Sequence, residues 1–270
     1  MSTGVGMSEC CLSGKVHDGT PTGKIETIDN LQTYVAEPKD SSKARSIVFI
    51  VDIFGWEFKN VRLLADNYAK AGFYCYVPDV HQDNSLPLEF LNSVEPPLKT
   101  REQQSIIDKT KNTGIVGTTL PPWLIKHREA VSKPLIDSFI NAVRRIPGTH
   151  KVGALGFCWG GRYAILAAHG EVDAAYACHP SLVAVPGDFD PVSKPLSLAV
   201  GDKDSLLDNG TVGQIQDLMA KKTDLPHELR IYEDQVHGFA LRSDWSSEKD
   251  RKAMDDAEKQ GIEWFNKYLA

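Results

Sequence analysis

The chain has 270 residues, 41% hydrophobic and 24% charged, which is enough for one large α/β domain and short for two. A net charge of −6 with no basic tract argues against a nucleic-acid-binding surface. No apolar run approaches the roughly 20 residues that span a bilayer, so no membrane partner is expected.

Residues 1–22 are polar, rich in Gly, Ser and Thr, and predict an irregular segment. Lys24-Ile-Glu-Thr-Ile and Leu31-Gln-Thr-Tyr-Val-Ala36 alternate apolar and polar around Asp29-Asn30, the pattern of an antiparallel hairpin at a sheet edge. Ser46-Ile-Val-Phe-Ile-Val-Asp52 is a continuous apolar run, as in a central strand buried on both faces. A helix from about Glu57 to Ala71 places Phe58, Val61, Leu64, Ala65 and Tyr68 on one side, and Gly72 stops it. Phe73–Val77 reads as the next strand, closed by Pro78-Asp79. From His81 to Pro122 the periodicity fades; such a stretch predicts a lid-like insertion over an active site, with a short helix around Thr100 to Lys111. Trp123 to Ile146 reads as helix that Pro134 breaks or opens, ending at Pro147-Gly148. Further strands are expected at Val172–Cys178, Lys194–Val200 and His227–Tyr232, and helices over 211–222 and Glu248–Tyr268. A hairpin followed by repeated β-α units makes a doubly wound, mostly parallel sheet with helices on both faces, in one domain over 1–270.

The most informative stretch is Lys151-Val-Gly-Ala-Leu-Gly-Phe-Cys158-Trp-Gly-Gly-Arg-Tyr-Ala. A buried strand turns sharply through Gly156-Phe157-Cys158-Trp159-Gly160 into a helix, the G-x-nucleophile-x-G elbow with cysteine in the nucleophile position. Small flanks let strand and helix approach, and the helix N-terminus favours a thiolate. The bland alternative is a structural cysteine in a glycine-rich turn. Later strand ends weigh against it, because they supply the remaining parts in the order nucleophile, acid, histidine. One delivers Gly201-Asp202-Lys203-Asp204 and the next Glu233-Asp234-Gln235-Val236-His237-Gly238-Phe239. His237 would take the thiol proton or pair with the thiolate, and a carboxylate behind it would fix its tautomer. Asp204, deeper in its loop, is favoured for that carboxylate over Asp202, which suits a turn. The oxyanion would be held by the backbone N–H groups of Trp159 and Ile53.

Gly-Phe-Cys-Trp-Gly-Gly, Gly-x-x-Asp, His-Gly-Phe and Asp52-Ile-Phe-Gly together resemble the dienelactone hydrolase (carboxymethylenebutenolidase) family over roughly residues 23–268. The segment Cys10-Cys-Leu-Ser-Gly…Gly-Thr-Pro-Thr-Gly-Lys24 is similar to its fungal and yeast members in particular. The resemblance implies an α/β-hydrolase fold, a Cys158–His237–Asp204 triad, hydrolysis of an ester or lactone, and neither metal nor organic cofactor. Bacterial members carry a thiol-activating glutamate where this chain has Asp52, which serves that role more weakly or only as a structural acid. They also bind the substrate carboxylate with two arginines. Arg242 is a counterpart of one, offset by a residue; the other has no arginine here, which leaves Lys99 or Arg101 as substitutes. His179 either lines the pocket or is a turn residue.

The expected partner is therefore a small-molecule ester or lactone, and a homodimer is compatible with the sequence. The alternatives are a broad esterase, thioesterase or acyl transferase on a metabolic ester, or a non-catalytic redox-sensing thiol protein. The five cysteines, Cys10, Cys11, Cys75, Cys158 and Cys178, are odd in number and lack framework spacing, which predicts reduced thiols in the cytoplasm. Adjacent Cys10-Cys11 with His17 also lack zinc-ligand spacing, and the opening residues lack the charged and apolar regions of a signal peptide.

Overall fold

A computed structural model describes residues 16–91 and 117–270. Cys10, Cys11, Lys99, Arg101 and the helix expected over Thr100 to Lys111 lie outside these residues.

The hairpin forms as its pattern requires. Strands β1 (Lys24–Ile28) and β2 (Leu31–Ala36) pair antiparallel with Ile28 opposite Leu31. Asp29 and Asn30 both take positive φ, 50° and 63°, the handedness that matches a two-residue hairpin turn to strand twist. Strands β3 (Arg45–Ile50), β4 (Tyr74–Pro78), β5 (Lys151–Phe157), β6 (Ala174–Cys178), β7 (Leu196–Gly201) and β8 (His227–Tyr232) complete one eight-stranded sheet. Its order is β1-β2-β4-β3-β5-β6-β7-β8; β1, β2 and β4 meet antiparallel and every later pairing is parallel. Nearly every residue of β3 to β7 is buried, whereas in the edge strand β8 only Tyr232 is fully buried and His227, Arg230 and Ile231 are exposed.

Helices α1 (Lys59–Lys70), α2 (Glu129–Arg145), α3 (Trp159–Ala167), α4 (Asn209–Ala220), the single turn α5 (Phe239–Arg242) and α6 (Glu248–Tyr268) cover the sheet. Two glycines of β5 show that both faces are covered. Gly153 abuts Phe265 of α6, while Gly156, three residues on and so on the opposite face, abuts Gly160 and Ala164 of α3. The α6 face is aromatic: Phe265 meets Tyr68 and Phe73 edge-on at 6.3 and 6.2 Å. Gln260 of α6, fully buried, donates to Ser197 Oγ at 2.9 Å and accepts from Tyr232 Oη at 2.7 Å, which ties helix to strands without an unpaired polar atom.

One helical expectation fails. The break falls at His127–Arg128, not at Pro134, and a separate helical stretch already runs over residues 117–126 through Pro121 and Pro122. Trp123 Nε1 donates to Asn84 O at 2.7 Å and His127 Nε2 meets Asn84 Oδ1 at 2.9 Å, so the stretch is anchored to the loop after β4 and the chain must turn there. Pro134 sits in the second turn of α2 on its exposed side, so the Ala130 carbonyl that loses its N–H partner is not buried and the helix tolerates the proline.

Candidate active site

The elbow is strained at one residue. Cys158 has φ 54° and ψ −118°, a left-handed conformation rare for a residue with a side chain, and it caps α3. Glycine is required on both sides: a Cβ on Gly156 would overlap the Gly160 carbonyl, and one on Gly160 the Ile50 carbonyl. The strain is held by backbone bonds. Cys158 N–H donates to Cys178 O at 3.2 Å, and Cys158 O accepts from Gly161 N–H and Ser181 N–H, each at 3.0 Å.

His237 and Asp204 arrive from the ends of β8 and β7. The imidazole Nδ1 lies 2.9 Å from Asp204 Oδ2 and 3.1 Å from Oδ1, with both side chains fully buried. Asp204 Oδ1 also accepts from Leu206 N–H at 2.8 Å and Leu207 N–H at 3.2 Å, so its orientation is set by its own loop. Asp202, the weaker sequence candidate, instead pairs with Lys203 at 2.8 Å near the surface. With Asp204 accepting at Nδ1, the proton on that side is fixed, and Nε2 is buried without a hydrogen-bond partner. Burial opposes charge on His237, but the Cys158 thiolate and Asp204 outweigh it and push its pKa up to about 10. Burial likewise opposes ionisation of Cys158, yet the His237 charge, helped by Arg242, holds the thiol below its ordinary value. Both shifts run in the direction of a thiolate–imidazolium pair.

The structure also brings Asp52 and Arg242 together. Asp52 follows β3, is buried, and accepts from Phe54 N–H at 3.0 Å through Oδ1; its Oδ2 lies 3.5 Å from Arg242 Nε. Burial raises the Asp52 carboxyl above the usual range despite Arg242. The Arg242 guanidinium is itself buried and stands over the Phe54 ring at 5.2 Å. His179, left open between pocket and turn, occupies a turn at the end of β6 with φ 38°. Its buried ring lies 5.0 Å from the His237 ring, with both nitrogens unpartnered and burial driving its pKa well down. It backs His237 and does not line the cavity beside Cys158.

That cavity, about 250 Å³, is bounded by Cys158, Ile53, Trp159 and Ser181 at one end and by aliphatic side chains at the other. The backbone N–H groups of Ile53 and Trp159 have no hydrogen-bond acceptor among the described residues. The Trp159 ring is wedged among Tyr163 at 4.4 Å, His81 at 4.9 Å and Trp123 at 5.7 Å, which pins the first residue of α3. Two contributors escaped sequence reasoning. Ser181 Oγ lies 3.7 Å from Cys158 Sγ; its position just past a strand end, in His179-Pro-Ser181, was the available signal. Leu120 and Leu124 line the cavity from the 117–126 stretch; Leu120 falls at the end of the segment expected over the site, but weak periodicity around both singled out neither side chain.

The model of the dienelactone hydrolase family matches residues 31–269. The chain belongs to that family. Dienelactone hydrolases act on lactones and esters, and this protein is a hydrolase of that broad kind. It is 28% identical over 263 residues to the hydrolase pyvD of Aspergillus violaceofuscus, covering 97% of each chain. It is 23% identical to the carboxymethylenebutenolidase homolog of Mus musculus, covering 96% of each. Its fold matches the crystal structure of a dienelactone hydrolase from Anabaena variabilis at TM-score 0.61 and 17% identity, covering 94% of this chain and 100% of that one. The expected α/β-hydrolase fold is the observed one. Among the described residues no group of histidine, cysteine or acidic side chains is placed to hold a metal ion, and no helix is long and apolar enough to cross a membrane.

Proposed function

We propose that this protein hydrolyses a lactone or ester through a covalent thioester on Cys158, with His237 as proton carrier and Asp204 as its orienting carboxylate. The observation that carries the reading is the buried imidazole held at Nδ1 by Asp204 while Nε2 is left free beside the thiol of a strained elbow. The thiolate sulfur attacks the substrate carbonyl carbon, and the carbonyl electron pair moves to oxygen. The Trp159 and Ile53 N–H groups receive that oxyanion. As the carbonyl re-forms, the C–O bond to the leaving oxygen breaks, and His237 Nε2–H gives that oxygen its proton. A lactone opens but stays attached as the acyl thioester. Neutral His237 then takes a proton from water, the hydroxide attacks the thioester, and the acid leaves as the thiolate–imidazolium pair returns. An alkoxide leaves this adduct more readily than an amine does, so esters and lactones suit the nucleophile better than peptides. The unpaired thiols of Cys75, Cys158 and Cys178 support a reducing, cytoplasmic setting.

The decisive experiment follows turnover of lactones and activated aryl esters by wild type, Cys158→Ala and Cys158→Ser, with mass spectrometry of acid-quenched samples. Turnover by wild type alone, with a mass increment of one acyl group on the peptide containing Cys158, is expected. Full activity in Cys158→Ala overturns the proposal. An inert wild type whose Cys158 is readily and reversibly oxidised would favour a redox-sensing thiol instead.

A further inference from the structure

Resting on the reading that Cys158 is the nucleophile, we infer that the substrate is a neutral ester or lactone bearing a small apolar group, a short alkyl chain or a single ring, which fills the cavity beside Cys158 and is selected by Leu124 and Leu206. The chemistry of the walls carries this. Leu120 and Leu124, one helical turn apart on the 117–126 stretch, face Leu182 and Val183 from the end of β6 and Leu206 and Leu207 from the loop after β7. Among the described residues, the only side-chain polar groups beyond the thiol and the Trp159 indole are the hydroxyls of Ser181 and Thr211, and no charged side chain lines the space. A carboxylate placed there would lose its hydration with no cation among the described lining residues to meet it, whereas apolar surface is drawn in.

The Arg242 guanidinium does not alter that balance. Arg242 is buried outside the cavity lining, already faces the Asp52 carboxylate at 3.5 Å, and is covered by Phe54. The mouth points the same way. Leu182 and Leu206 both line the cavity yet stand 56% and 48% exposed, so apolar surface continues from the interior to solvent. Size sets the upper limit: about 250 Å³ is at or below the small end of ligand pockets, which start near ~300 Å³.

The test is a matched pair: p-nitrophenyl butyrate against p-nitrophenyl hemisuccinate, whose acyl group has the same number of carbons but ends in a carboxylate. A p-nitrophenyl acyl series from acetate upward accompanies it. In wild type, kcat/KM should rise about fourfold per added methylene, the fold-change equivalent to ~0.8 kcal/mol per buried CH2. The rise should stop once the cavity is full, and butyrate should exceed hemisuccinate by at least about 50-fold, the desolvation cost of the uncompensated charge. Leu206→Arg, at a half-exposed position that tolerates a long side chain, should lower butyrate turnover, raise hemisuccinate turnover and reverse the preference. Equal or better use of hemisuccinate by wild type, or a flat chain-length series, overturns the inference.

A second readout needs no turnover: protection of Cys158 from iodoacetamide by butyramide against succinamate. Stronger protection by butyramide, by about tenfold or more in concentration, is expected; equal protection, or stronger protection by succinamate, overturns the inference. Retained ester hydrolysis in Cys158→Ala would instead sink the nucleophile assignment while leaving this protection result interpretable, so the two failures are distinct.

Discussion

The reacting end and the binding end of the site are built on opposite terms. At the reacting end the three groups of the constellation are held by backbone or by another buried charge: Cys158 by three main-chain hydrogen bonds, Asp204 by two N–H groups of its loop, His237 by Asp204. At the binding end the walls are aliphatic side chains from three separate elements, which meet substrate without hydrogen bonds, although the main chain of Leu206 and Leu207 is tied to Asp204. The contrast separates rate from selectivity. Chemistry here depends on a few angles and short distances that cannot drift, while substrate choice depends on volume and polarity that single side chains can change.

Five substitutions and a titration sharpen or break that contrast. The largest effect is expected for Asp204→Asn, which leaves the imidazole without its anionic partner: kcat should fall by about 10⁴-fold, as when a triad tautomer is reversed. The pH inflection for Cys158 alkylation should move upward in the same variant, because a weaker imidazolium stabilises the thiolate less; an unmoved inflection would remove Asp204 from the electrostatics of the thiol. Next is Gly160→Ala, whose Cβ meets main chain that cannot rotate away. A loss on the order of 3 kcal/mol, or about 6–12 °C in Tm, is expected. Gly213→Ala in α4, where a Cβ meets nothing within 4 Å, should leave Tm unchanged or slightly raised, and equal losses in both would contradict the tight elbow. Ser181→Ala removes the hydroxyl nearest the sulfur and should lower kcat/KM by about tenfold while raising the alkylation inflection. At the binding end, Leu124→Ala should raise KM for an apolar ester by roughly three- to tenfold with kcat nearly unchanged. A fall in kcat alone would mean that this wall orients the reacting atoms.

The stability titration has a sign on each side of neutrality. His179 is held well below its ordinary pKa by burial, His81 at about 3 and His17 at about 4, so the unfolded chain binds protons that the folded one refuses. Their contribution is present above about pH 6.5 and is lost as pH falls below it. His237, raised to about 10, works the other way, but the Cys158 thiol is lowered with it, so the proton one gains on folding the other gives up. The pair's contribution is level across neutrality and is lost only above the ordinary thiol range, as pH rises toward 10. Thermal midpoints measured from pH 4 to 10 should therefore form a dome, falling more steeply on the acid side, where several histidines act together. A midpoint still rising below pH 6 would contradict the buried, uncharged state of these rings.

Much of this was legible in the chain because local physics decides it. The continuous apolar run at β3, the Asp29-Asn30 turn, the helix over Glu248–Tyr268 and the strand His227–Tyr232 follow from periodicity and turn chemistry. Gly156-x-Cys158-x-Gly160 is legible for the same reason: only glycine permits main chain to approach main chain there, so the geometry leaves its mark on composition. Tertiary structure alone decided the rest. The break at His127 rather than Pro134 arises because Asn84 holds both Trp123 and His127, and no local preference encodes a contact across some forty residues. The pairing of Asp52 with Arg242, the retreat of His179 behind His237, and the meeting of Leu124 with Leu206 across the cavity depend on how loops from distant strand ends converge. Sequence by itself determined which residues could do chemistry and in which order along the sheet. Folding decided which of them meet and what surrounds them, because burial and distance belong to the packed chain rather than to any segment of it.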